Sequence, residues 1–135
     1  MARLLVVEDE RVLAKNVAEK LSAHGHEVRV VHTGREAMPA FSAMVPDVVL
    51  LDIRLPDADG LKLLPQMKSE SPLTNFIVVT AHGNERIAVE AMKCGAAEYL
   101  TKPVDLDELQ MVVARLVEQQ QISDNLFLLK TREEQ

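Results

Sequence analysis

Val48-Val49-Leu50-Leu51-Asp52 runs into Ile53-Arg54-Leu55-Pro56-Asp57-Ala58-Asp59-Gly60. Four consecutive branched aliphatic residues read as a strand buried on both faces, the pattern of a parallel sheet. A carboxylate follows at once, and Pro56 and Gly60 mark the stretch beyond it as a loop. Asp52 therefore sits at the carboxyl end of a central strand, where open α/β sheets place their ligands. An aspartate there serves as a metal ligand, as a nucleophile or as a cap for the loop behind it.

Working outward, the same alternation recurs on both sides. Arg3 to Val7 is a short apolar run that ends in Glu8-Asp9-Glu10. A helical pattern follows, with Val12, Leu13, Val17 and Leu21 on one face and Lys15, Glu19 and Lys20 opposite, closed near Gly25. Glu27 to Val31 reads as a second strand. Thr33 and Glu36 have the spacing of a capping box at the start of a second helix, whose apolar side holds Ala37, Met38, Phe41 and Met44. Pro39 is expected to distort or shorten that helix. Beyond the Asp52 loop, Gly60 to Glu70 is a third helix with Leu61, Leu64 and Met67 inward, and Pro65 inside it is expected to give a kink or a weak turn. Phe76 to Val79 is a strand that ends at Thr80. Asn84 caps a fourth helix with Ile87, Ala88, Ala91 and Met92 inward. Glu98 to Thr101 is a short strand closed by Lys102-Pro103, and a last helix carries Leu106, Leu109, Val112, Val113 and Leu116.

Alternating strands and helices imply one parallel sheet with helices on both faces and right-handed connections. The expected architecture is a flavodoxin-like, doubly wound (βα)5 fold of strand order 2-1-3-4-5. The domain is expected to span residues 1–118. Residues 119–135 contain no proline or glycine, and Ile122, Leu126 and Leu129 keep a helical spacing. The last helix is therefore expected to continue as a linker or dimerisation segment. The apolar Leu126-Phe127-Leu128-Leu129 either meets a partner helix or folds back on its own domain. The helical pattern still runs at Gln135 without a stop signal, which fits a piece of a longer protein.

Composition narrows the classes. The 135 residues suit one domain with a sizeable core, and 47% hydrophobic and 27% charged residues are ordinary for a globular protein. A net charge of −6 argues against direct nucleic-acid binding. Cys94 is the only cysteine, so no internal disulfide forms and a cytoplasmic setting fits. No apolar run approaches membrane-spanning length, and the strand pattern that starts at Arg3 leaves no room for a signal peptide.

Five residues converge on one sheet edge. Glu8 and Asp9 follow the first strand, Asp52 the third, Thr80 the fourth and Lys102 the fifth. Each alone has a plain structural reading: a strand-end Asp caps a turn, an acidic run favours a helix N-terminus, Thr80 is a cap and Lys102 a surface lysine. Together they make a pocket of three carboxylates, a hydroxyl and a cation. Hard oxygen ligands of that kind suit Mg²⁺, which would offset repulsion among the acids and neutralise charge on a transferring phosphoryl group.

The four ordered motifs (Val-Val-Glu8-Asp9-Glu, Leu-Leu-Asp52-Ile-Arg-Leu-Pro-Asp-Ala-Asp-Gly, Val-Thr80-Ala and Lys102-Pro103) resemble the receiver domain of two-component response regulators over residues 2–118. The resemblance implies that Asp52 accepts a phosphoryl group from the phosphohistidine of a sensor histidine kinase. It implies that Glu8, Asp9 and Asp52 hold Mg²⁺, with the backbone carbonyl of Arg54 as a further ligand. Thr80 matches the switch hydroxyl, Tyr99 the switch aromatic and Lys102 the phosphate-binding lysine, with a cis Lys102-Pro103 bond. The acidic pair is Glu-Asp where Asp-Asp is common, and the loop begins Leu-Pro where Met-Pro is frequent. Arg54 and His82 are expected to line the mouth of the site.

The last helix and its extension look like regulators of the nitrogen-regulator (NtrC) type. In these a receiver is followed by an ATPase and a DNA-binding domain that activate transcription. Dimerisation is then expected through the fourth helix, fifth strand and fifth helix, or through the C-terminal helix. Three rival classes fit less well. An aspartyl phosphatase wants a second Asp two residues after its nucleophile, where this chain has Arg54. A nucleotide or flavin binder wants a glycine-rich phosphate loop, which is absent. A degenerate receiver serving only as a scaffold would not need Asp52, Thr80 and Lys102 intact.

Overall fold

The computed structural model describes residues 2–81 and 83–134, with side chains through Gln121. Strands and helices alternate as β1 (Arg3–Val7), α1 (Arg11–Ala23), β2 (Glu27–Val31), α2 (Gly34–Met44), β3 (Val48–Asp52), α3 (Gly60–Glu70), β4 (Asn75–Thr80), α4 (Glu85–Lys93), β5 (Glu98–Thr101) and α5 (Leu106–Glu134). The strands pair in parallel in the order β2-β1-β3-β4-β5. This is the expected flavodoxin-like arrangement, with β1 and β3 adjacent where the winding reverses.

The period-two geometry of the strands splits their side chains between two apolar layers. Leu5, Val7, Val49, Leu51, Phe76 and Val78 face α2, α3 and α4 through Ala37, Phe41, Leu64, Met67 and Ala91. Leu4, Val6, Val48, Leu50, Ile77 and Val79 face α1 and α5 through Val17, Leu21, Leu109, Val113 and Leu116. Every residue of β3 is buried, as its unbroken aliphatic run requires. With few aromatics available, Phe41 and Phe76 form one stacked contact across the first layer, ring centroids 6.1 Å apart.

Local signals set most helix starts. The Thr33 hydroxyl accepts from the Glu36 N–H at 3.2 Å and donates to the Glu36 carboxylate at 3.0 Å. Asn84 caps α4 through Ile87 N, and Asp59 caps α3 through Leu61 N, both at 2.9 Å. Asp105 accepts from the N–H groups of Asp107 and Glu108 at the start of α5.

Some expectations need correction. The shortening expected at Pro39 does not occur: α2 runs eleven residues through that proline, and α3 runs eleven through Pro65. Each proline removes one N–H from its helix without ending it. Val12 is 75% exposed, and Ala14 takes its place against the sheet. Met92 is 50% exposed, and Ala91 alone of α4 is fully buried. The α5 helix continues to Glu134 as expected, while the side chains of Ile122, Leu126, Phe127, Leu128 and Leu129 lie outside the described residues. No helix among the described residues is long and apolar enough to cross a membrane.

Candidate functional site

The carboxyl ends of β1, β3, β4 and β5 open onto one cleft, lined by Asp9, Glu10, Asp52, Arg54, Thr80, Ala81 and Lys102. Glu8 lies beneath it and is buried, as are Asp52 and Thr80. Lys102 reaches in from the segment after β5 with its side chain 12% exposed. Its ammonium lies 2.9 Å from Glu8 Oε1, 2.9 Å from Glu10 Oε2 and 3.1 Å from Asp52 Oδ2. The other Asp52 oxygen accepts from the Arg54 N–H at 2.9 Å. Glu8 Oε2 accepts from the Glu10 N–H at 3.0 Å. The Lys102 N–H donates to the Thr80 carbonyl at 2.9 Å, joining the two loops, and the Lys102-Pro103 peptide is cis.

The charges do not balance around that lysine. Burial pushes the Glu8 carboxyl up to about 7, against the Glu10 N–H and Lys102, with the nearby Asp52 charge adding to the rise. Burial also works against the Lys102 ammonium, yet the carboxylates of Glu10, Glu8 and Asp52 outweigh it and hold its pKa above the ordinary lysine value. Acids therefore outnumber the cation that serves them.

Oxygens of Glu8, Asp9 and Asp52 lie within 4.8 Å of one another. An all-carboxylate donor set, two members of it buried and short of positive charge, fits a small hard dication such as Mg²⁺.

Four of the strand-end residues chosen from the sequence, Asp9, Asp52, Thr80 and Lys102, thus share the cleft, with Glu8 at its floor and Arg54 at its rim. Tyr99 stands apart. It is half-buried against the α2–α4 layer, and a Cβ at Gly83 would overlap its hydroxyl. That hydroxyl is buried without a hydrogen-bond partner among the described residues. His82 lies outside the described residues. The third acid on Lys102, Glu10, was not singled out by the sequence pattern. Its place in the acidic run beside Glu8 and Asp9 is the signal that could have found it.

The loop after Asp52 is tied down at its far side. Asp57 accepts from Gly34 N at 2.7 Å and from Arg35 N at 2.9 Å, at the N-terminus of α2. These N–H groups hold the Asp57 carboxyl below the usual aspartate range. A depressed carboxyl stabilises the fold above the unfolded pKa, about 4, and loses that effect as pH falls through the folded value. Asp57→Ala is expected to lower the urea midpoint at pH 6, with the gap from wild type closing toward pH 3. A gap independent of pH would contradict the carboxylate's role.

Comparison with known proteins places this geometry in context. The sequence model of the response regulator receiver domain matches residues 4–114. Regulatory protein AtoC of Escherichia coli is 39% identical over 124 residues, which are 92% of this chain and 27% of AtoC. The crystal structure of NtrX from Brucella abortus superposes with a TM-score of 0.89 at 34% identity, covering 97% of this chain and 30% of that one. The receiver domain of a putative LuxO repressor from Vibrio parahaemolyticus gives 0.87 at 30% identity, covering 93% and 96%. The chain spans about a quarter of the length of AtoC.

Proposed function

The chain belongs to the response regulator receiver domain family, and from that premise we propose that Asp52 is its phosphoacceptor, charged by the phosphohistidine of a sensor histidine kinase. The observation that carries this reading is the convergence of Asp52 and Lys102, 3.1 Å apart, with Glu8, Asp9 and Thr80 at one sheet edge.

In the proposed step an Asp52 carboxylate oxygen attacks phosphorus. The new P–O bond forms as the donor's P–N bond breaks, and the electron pair stays on the donor imidazole. Glu8, Asp9, Asp52 and the Arg54 carbonyl would hold Mg²⁺, which supplies positive charge to the phosphoryl oxygens. Lys102 gives up a carboxylate partner and takes a phosphoryl oxygen. The Arg54 N–H fixes one Asp52 oxygen and leaves the other facing Lys102.

The acyl phosphate carries nearly two negative charges where the Asp52 carboxylate carried one, and sets them beside Thr80. Thr80 turns its hydroxyl to a phosphoryl oxygen, and the Tyr99 ring follows into the space released. This biases a two-state equilibrium of the face made by α4, β5 and α5. The buried Tyr99 hydroxyl beside Gly83 supports a ring whose placement depends on the β4–α4 loop. Thr80→Ala is expected to accept phosphate as wild type does and to lose the coupled change in association state. Chromatography with light scattering on the phosphorylated proteins checks it, and a Thr80→Ala protein that dimerises like wild type would sink the switch role.

Residues 1–118 then form the receiver, and residues 119–135 a helical linker or dimerisation segment that leads to an output domain. The likeness to AtoC and NtrX supports an output of the NtrC type, with DNA contacts made there and not by this acidic domain. The chain acts as a cytoplasmic, phosphorylation-dependent regulator, dimerising through α4-β5-α5 or its last helix. Its only catalysis is its own phosphotransfer and slow autodephosphorylation.

A further inference from the structure

The acidic turn after β1 is held from outside the cleft by a residue that supplies no metal ligand. The His32 ring, one residue past the end of β2, places Nδ1 2.8 Å from the Glu8 carbonyl oxygen. A carbonyl only accepts, so Nδ1 carries the proton in this contact. On the other side of the same residue, the Glu8 N–H donates to the Val31 carbonyl at 3.0 Å. Glu8 is therefore clasped through both its peptide groups by the end of β2, at the point where β1 stops pairing and the chain turns into the acidic run.

A clasp positions something only if it is itself fixed, and this one is. The His32 N–H reaches Glu36 Oε1 at 3.4 Å, and Thr33 binds the same carboxylate. Gly34 N and Arg35 N bind Asp57, on the loop that follows Asp52. Gly34 also packs so closely on Ala58 that a Cβ would overlap it. The short turn from His32 to Arg35 thus grips the loop after β1 with one end and the loop after β3 with the other. The first of those loops carries Glu8 and Asp9, and the second carries Arg54 and begins at Asp52.

We propose that His32 is a positioning residue for the metal site, holding the Glu8 backbone so that the Glu8 and Asp9 carboxylates stand where a divalent cation binds. The inference rests on the metal reading given above. Freed of the clasp, the turn after β1 has to be ordered by the metal itself, and groups that support metal ligands in this way are worth roughly ten- to a hundredfold in affinity.

The test is Mg²⁺ affinity, measured on the 135-residue chain by calorimetry and by amide chemical-shift titration, so that no phosphoryl transfer is involved. Four proteins are compared: wild type, Asp9→Asn, His32→Phe and His32→Asn. Phenylalanine keeps a ring and loses the donor, while asparagine places an N–H close to the Nδ1 position. Wild type is expected to bind, Asp9→Asn to bind much more weakly, His32→Phe to lose roughly tenfold, and His32→Asn to recover most of that loss. A structural role alone would lower the melting temperature of both His32 variants without separating their Mg²⁺ affinities. Equal affinities for wild type and His32→Phe, or equal losses in the two His32 variants, would overturn the proposal while the metal site stands. Absence of Mg²⁺ binding by wild type, or no effect of Asp9→Asn, would overturn the metal reading and the proposal with it.

Discussion

Asp52→Asn is expected to take up no phosphoryl group, from a kinase or from acetyl phosphate, while keeping its fold. Asparagine has the shape of aspartate, so β3 packs as before and the Arg54 N–H keeps an oxygen acceptor 2.9 Å away. An amide oxygen is a poor nucleophile and bears no full charge for Lys102 to pair with. Uptake should fall to background. Stability should change by only about 1 kcal/mol, because the charge removed is one of several acids that share a single ammonium. A phosphate-affinity gel and a thermal melt check both halves. Labelling of Asp52→Asn at the wild-type level would remove Asp52 from the reaction.

Gly60→Ala is the substitution expected to damage the fold most from the smallest change. Gly60 opens α3 and donates its N–H to the Ile53 carbonyl at 2.8 Å. A Cβ there would lie 2.6 Å from Ile53 Cα and 2.7 Å from the Asp52 carbonyl oxygen. Both neighbours are backbone, so no side chain can rotate away, and the loop that leaves Asp52 must move. The expected cost is about 3 kcal/mol, at the upper end for one inserted methyl group. The displaced segment is the one that carries Asp52 and Arg54, so phosphoryl uptake should slow even where the protein remains folded. Urea unfolding checks the first effect. A change within about 0.5 kcal/mol, ordinary for a surface substitution, would show that the loop has slack the geometry does not suggest.

The frame of the molecule was legible because it rests on strong local signals. The aliphatic runs of β1, β3 and β4 are short, branched and bounded by turn residues, so they read as buried strands, and a strict strand–helix alternation makes this sheet order the natural solution. Four strand-end residues then fall into one cleft by topology alone. What escaped were features set by tertiary contact. Val12 and Met92 fit helical stripes but lie beyond the width of the face that the sheet covers. The end of α2 uses Val45 in the left-handed region (φ 47°), where the sequence offers no glycine to announce it. The partners of Glu10, His32 and Asp57 are contacts across loops, far apart in the chain, and no periodicity encodes them. Residues at such positions became visible only once the turns were placed beside one another.

The most direct test of the central claim is the intact mass of the wild-type chain after incubation with acetyl phosphate, once with Mg²⁺ and once with excess chelator, followed by mapping of the modified residue. A single phosphoryl adduct on Asp52 that forms with Mg²⁺ and not in its absence is the predicted result. A folded protein that gains no adduct beside a working control, gains one equally without Mg²⁺, or carries it on another residue would contradict the account.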